Sequence, residues 1–378
     1  MEVHPLLIDI ICVSDLETLP LHTADEWKET IESAAAHGLI PLLYKRLKNS
    51  AVGNRLPAGL ARTIEEQYLA VAARNMMLAD ELAGILQACE RENRPCMPLR
   101  GLALAEDLFG DITLRPMGDI DLLVRREDLE DITSILCGLG FQQMDRRPGF
   151  AIDYYYTLKF FKDRHGWIIV EPHWTITYPP FADRVDMGLV WERSERDRVV
   201  GVTSRKLAVE DLLFHLCLHL VHQGDEAPLL HFFEIDRLIR QRHESIDWSG
   251  VALMAEMSGQ GFLLHRALDR VRTHFDTPVP EEAIRRIPDR PASKLEGRLA
   301  DLLAGSENID GKESLALLFT IKGMRARFRY VIALLFPSPE FMMIQYGLSH
   351  RRQLGLSYIR RLIYFTREGL KGITRLLF

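Results

Sequence analysis

A chain of 378 residues is long enough for two or three domains with cores of their own, and 47% hydrophobic with 26% charged residues is ordinary for a soluble globular protein. The net charge of −6 argues against a surface built to hold a nucleic acid. Five cysteines (Cys12, Cys89, Cys96, Cys137 and Cys217) form no CxxC pair, which excludes a thiolate metal site and suits a reducing cytoplasm.

The chain begins with an acid at Glu2, where a signal peptide needs positive charge, and its longest apolar runs, such as 330–336, are too short to span a bilayer. Residues 1–95 read as an N-terminal helical region. Leu39, Leu42, Leu43 and Leu47 recur at helical spacing, as do Ile64, Tyr68 and Val71, then Leu78, Leu82 and Ile85. Pro95 and Pro98 end the last of these helices.

From 96 to 204 the pattern changes to short strands and helices. A short approach strand at 98–99 leads to a glycine turn and a helix starting near Gly101. Residues 119–124, Asp-Ile-Asp-Leu-Leu-Val, read as a buried strand, followed by a helix over 127–136. Two further strands, 154–161 and 167–174, flank a hairpin turn at 163–166. From 205 to 378 the chain returns to helices, over 207–222, 229–240 and 249–275, with a proline-rich, charged loop at 277–291. The expected fold is α+β: a small mixed β-sheet core between two helical regions.

Asp119 and Asp121 stand two residues apart on an extended chain, so they share a face. Two such carboxylates repel unless a proton or a cation lies between them, and a hard divalent ion is the usual partner. Glu171 on the last strand completes a triad of acids if that strand lies beside the first, and His173 shares its face. Gly101 opens a helix whose free N–H groups suit a phosphate. Arg100 offers that phosphate a charge-assisted contact, while Arg115 either does the same or pairs with Asp111.

The order of glycine turn, helix, D-x-D strand and third acid resembles the nucleotidyltransferases of the DNA polymerase β superfamily. More narrowly, Arg100-Gly101, Arg115, 118–124 and 170–174, with His219, Ile235-Asp236 and Asp247-Trp248, look like a bacterial family of uncharacterised nucleotidyltransferases. The resemblance implies Asp119, Asp121 and Glu171 as catalytic metal ligands for Mg²⁺ or Mn²⁺, with Glu171 also a candidate base. It implies Arg100, Gly101, Arg115, His219 and Asp236 around an NTP, ATP first among them. The expected reaction moves NMP to a hydroxyl of a small molecule or a protein. The alternative is a nucleotide-binding or scaffold protein with the same fold, because Leu102 stands where the superfamily places a serine. A glycosyltransferase also uses D-x-D, but it expects several βα units ahead of the acids.

His215, His219 and His222 fall at i, i+4 and i+7 on one helix face. The face is either a metal site or, as the preferred reading, a row of core histidines bonded to acids such as Glu234 or Asp236. In 351–378, seven bases against Glu368 flank an apolar stripe of Ile359, Leu362, Ile363, Leu370, Ile373 and Leu377. The preferred expectation is a helix that packs this stripe and solvates its bases; contact with an anionic membrane or an acidic partner is the alternative.

Overall fold

The computed structural model describes residues 3–12, 16–19, 22–145, 147, 149–164, 166–304 and 311–377, with the side chains of 344, 376 and 377 left aside. Its centre is a five-stranded sheet: β1 (Cys96–Pro98), β2 (Asp119–Val124), β3 (Gln142–Gln143), β4 (Phe160–Asp163) and β5 (Trp167–His173), in the order β1-β2-β5-β4-β3. β2 and β5 run parallel and every other pair is antiparallel, so the sheet is mixed as expected. A separate hairpin is made by β6 (Glu195–Val199) and β7 (Val202–Lys206).

Alternation along β2 sorts its residues onto two faces. Ile120, Leu122 and Val124 join Ile168 and Val170 of β5 in a core with Leu78, Leu82 and Ile85 of the Ala58–Arg91 helix and Ile132 and Leu136 of the Leu129–Gly138 helix. Leu123 belongs to the opposite face, in a core shared by helices from both ends of the chain, from Leu6 to Ala300. Asp119 and Asp121 lie on that second face by the same alternation.

The Ala58–Arg91 helix is single and 34 residues long, because nothing between 72 and 77 can break it. It positions the site from outside. Buried Asn75 donates to the carbonyls of Ile112 (2.6 Å) and Arg115 (2.8 Å), pinning the loop that leads into β2. Arg74 donates to the carbonyls of Gly118 (3.1 Å) and Trp167 (2.6 Å), which fixes the starts of β2 and β5 together.

Four local expectations are corrected. The approach strand lies two residues earlier than expected, at β1, where a proline is tolerated because only β2 pairs with it. The segment expected as a strand over 154–161 begins as a helix, Phe150–Tyr154. It then meets β5 through an isolated bridge, Thr157 to His173, and becomes regular only at Phe160. The turn after β4 is as expected, though His165 in it lies outside the described residues. The helix expected over 249–275 is two helices, Trp248–Ser258 and Gly261–Phe275, because Gly259 takes φ +66° and closes the first. The expected loop at 277–291 also holds a short helix, Glu281–Arg286.

The Val209–His222 helix crosses the acid-bearing face of the sheet and is buried nearly all round, from Leu213 to Val221. No helix among the described residues is long and apolar enough to cross a membrane.

Candidate active site

The parallel register sets Asp121 opposite Glu171 and Leu123 opposite His173. Asp121, Glu171 and His173 are all buried, at 8%, 8% and 4% exposure. One ligand atom from each lies within 4.8 Å of the others, the one such group among the described residues. His173 Nε2 is 3.0 Å from Asp121 Oδ1 and 4.0 Å from Glu171 Oε2. The strand order thus brings the third acid beside the D-x-D pair.

The other Asp121 oxygen is held by Arg100, whose Nη2 lies 2.5 Å from Oδ2. Burial alone would push the Asp121 carboxyl up; Arg100 and His173 outweigh it and hold the group well below the usual carboxylate range. Asp119 goes the other way. Burial and the charges of Asp121 and Glu171 push it up, and among the described residues no hydrogen bond or salt bridge reaches its carboxylate. The two aspartates of one motif therefore differ: Asp121 is paired directly with Arg100 and His173, whereas Asp119 feels the charges of Arg100 and Lys159 without a direct contact.

Arg100 is the hinge of this arrangement. Its Nη1 also meets the His219 ring, and His219 Nδ1 is 3.0 Å from the Tyr178 hydroxyl. Burial and the Arg100 charge push His219 well down, so its imidazole is neutral and accepts from the guanidinium. The His219 ring sits edge-on to His231 (4.9 Å between centroids), and His231 Nδ1 is 3.4 Å from Glu234 Oε2. Glu234 in turn pairs with Arg115. Arg115 is thus joined to the acids through Glu234, His231, His219 and Arg100. It pairs with Glu234 and not with Asp111, which instead caps Thr113.

Gly101 adopts φ +58°, which a side chain would strain, and opens a short helical segment over 102–109 whose second half is a π turn. Leu102 packs into the sheet core at 2% exposure, so its side chain is a core residue and only its backbone is left for a ligand. Asp236 is not brought to the acids. It accepts from Arg240 (2.9 Å) and from Thr277 (2.7 Å), tying the Leu229–Gln241 helix to the turn after Phe275.

The histidine face is a packing face. His215 Nδ1 bonds the Ile176 carbonyl (2.7 Å), Tyr178 stacks on His222 (4.4 Å), and His222 lies 3.5 Å from Glu313. Burial and Arg100 push His215 down to about 3, and burial pushes His222 down to about 4. Their partners are carbonyl, aromatic and glutamate groups, and the acids expected for them, Glu234 and Asp236, are engaged elsewhere.

Two contributors escaped sequence reasoning. Lys159 reaches Glu171 Oε1 at 2.7 Å and is 55% exposed at the edge of the cluster. A single lysine inside Tyr-Tyr-Tyr-Thr-Leu-Lys-Phe-Phe was the readable signal for it. Tyr178, central to the histidines, carried no such signal.

The mixed sheet, the paired carboxylates on adjacent parallel strands and the glycine turn ahead of them follow the order that the resemblance to nucleotidyltransferases implies. The chain belongs to the family described as "Uncharacterised nucleotidyltransferase", which matches residues 23–276. Among solved structures it is similar to a crystal structure of ANT(2″)-Ia in complex with adenylyl-2″-tobramycin, at 18% identity and a TM-score of 0.32, over 51% of this chain and 97% of that one. No curated protein matches the sequence.

Proposed function

We propose that this protein is a divalent-metal-dependent nucleotidyltransferase that moves NMP from an NTP, ATP first among them, to a hydroxyl of a small molecule or a protein. The observation that carries the reading is the in-register pairing of Asp121 with Glu171, with His173 completing one buried donor group. Two carboxylates and an imidazole fit Mn²⁺ well, and Mg²⁺ through the carboxylates alone. Asp119, on the same face of the strand and without a hydrogen bond or salt bridge among the described residues, is the further carboxylate this reading adds. A bound ion supplies charge neutralisation for the triphosphate and makes the acceptor hydroxyl more acidic.

This chain's own residues do the rest. The acceptor oxygen bonds to the α-phosphorus while the bond from that phosphorus to the bridging oxygen of pyrophosphate breaks. Pyrophosphate leaves with the electron pair, and the hydroxyl proton passes to Glu171. His173 fixes the orientation of Asp121. In this reading Lys159, the exposed cation beside Glu171, meets the phosphates, and Arg100 and the Gly101 backbone are the further phosphate contacts that the resemblance implies. The net charge of −6 favours a small-molecule or protein acceptor over nucleic acid, and free thiols at all five cysteines suit the cytoplasm.

A second reading, a nucleotide-binding protein without turnover, is favoured by two features: Arg100 already occupies Asp121, and Leu102 replaces the serine. The two part in one experiment. The protein is incubated with Mg²⁺ or Mn²⁺, NTPs labelled at the α-phosphate, and cell extract. Label transfer with pyrophosphate release is expected, reduced about a hundredfold or more by Asp121→Asn or Glu171→Gln. Thermal stabilisation by NTP with no label on any acceptor would establish the second reading instead.

A further inference from the structure

The helix Leu354–Leu377 is packed inside out. Its stripe of Leu356, Ile359, Leu362, Ile363, Leu370 and Ile373 lies in solvent, from 38% exposure at Ile373 to 63% at Ile363. The face turned to the body carries Ser357, Arg361, Glu368 and Gly372, all buried. Arg361 holds that face down, donating to the Leu334 carbonyl from Nε (2.9 Å) and Nη2 (2.7 Å), and Tyr358 donates to the Pro337 carbonyl (2.6 Å). This overturns the expectation that the helix packs its apolar stripe.

The neighbouring helix, Met324–Leu335, repeats the inversion. Tyr330 is its buried residue, and Met324, Phe328 and Ile332 form an exposed row at i, i+4 and i+8 that continues to Phe336. Burying one Leu, Ile or Phe side chain is worth about 1.5–3 kcal/mol, so folding alone does not turn such rows outward.

The flanks name the occupant. On a helical wheel, Arg360, Arg367 and Lys371 border the apolar arc of the last helix on one side. Residues 311–378 hold twelve Lys and Arg against three Asp and Glu, in a chain that is −6 overall. Glu368, the one acid in 351–378, is buried and bonded to Lys371 at 2.6 Å. A second copy of the chain would therefore set bases against bases with no exposed acid of this helix between them. Aliphatic residues bordered by bases, on a helix that lies along a body and cannot span a bilayer, fit an anionic lipid surface.

We propose that the C-terminal helices dock the protein on anionic membranes, with the apolar stripe in the headgroup–acyl boundary and the flanking bases on lipid phosphates. This is independent of the nucleotidyl-transfer reading. The test is sedimentation of the full chain with vesicles of phosphatidylcholine alone, or of two parts phosphatidylcholine to one part phosphatidylglycerol. Partitioning onto the anionic vesicles is expected, weakened by salt. It should fall about tenfold or more in Ile363→Glu/Leu370→Glu, and the preference for anionic lipid should shrink in Arg360→Glu/Arg367→Glu. Equal partitioning onto both vesicles, or binding untouched by the glutamates, overturns the proposal. So does a dimer in sedimentation velocity that the glutamates dissociate while vesicles retain nothing, which would assign the face to a second copy.

Discussion

The acid cluster on β2 and β5 and the Leu354–Leu377 helix depart from ordinary burial in opposite senses. One places charges inside; the other places aliphatic side chains outside. Inside, the buried acids of the site have partners in the same chain: Arg100 for Asp121, Lys159 for Glu171, Arg115 for Glu234. Outside, the stripe has no partner within the described residues. The two regions are completed in different places. The polar interior closes on itself through these pairs. The apolar exterior closes only against something beyond the chain.

The interior pairing is most exposed to test at Arg115. It is 5% exposed and its partner Glu234 is 1% exposed. Arg115→Met leaves a carboxylate buried without its cation and should cost about 3–5 kcal/mol in urea unfolding. Adding Glu234→Leu should return much of that loss. A single variant as stable as the parent would mean that pairing is not what holds the interior charges.

Acid sharpens the same point. Arg115 and His231 overcome burial and hold Glu234 down, from an ordinary 4.5 to about 2. A carboxylate held low binds its proton later in the folded chain than in the unfolded one. Its stabilisation is complete above pH 4.5 and is lost as the pH falls toward 2. The unfolding free energies of the parent and Glu234→Gln should therefore converge over that window, by about 3 kcal/mol. A gap that stays constant with pH would assign the residue a role other than that of a paired anion.

The sequence carried the acid strand and its third acid because both rest on period-2 alternation, and the β2–β5 register turned Glu171 into a neighbour of Asp121. What it did not carry were contacts decided by distant helices. For Arg115 the sequence offers a phosphate or nearby Asp111, whereas the packing of the Leu229–Gln241 helix delivers Glu234. Asp236, on that same helix two residues on, points to Thr277 instead. The C-terminal helix was misread for a different reason. Amphipathicity fixes which residues share a face, but not which face meets the body, and here Arg361 bonds to the Leu334 carbonyl decide it.

The exposed stripe should matter least to folding. If the stripe takes no part in folding, Ile363→Glu/Leu370→Glu should leave unfolding in urea unchanged within about 0.5 kcal/mol, as for other exposed positions. Both side chains are more than 60% exposed, at 63% and 61%, so little packing is lost. The added carboxylates stand among Arg360, Arg367 and Lys371, where exposed ion pairs are worth only about 0–1 kcal/mol. A loss well above that would mean the stripe packs against this chain's own body in solution, and the helix would then be an ordinary packing helix. An unchanged free energy, together with lost vesicle binding in the same variant, separates the surface that folds this protein from the surface that places it.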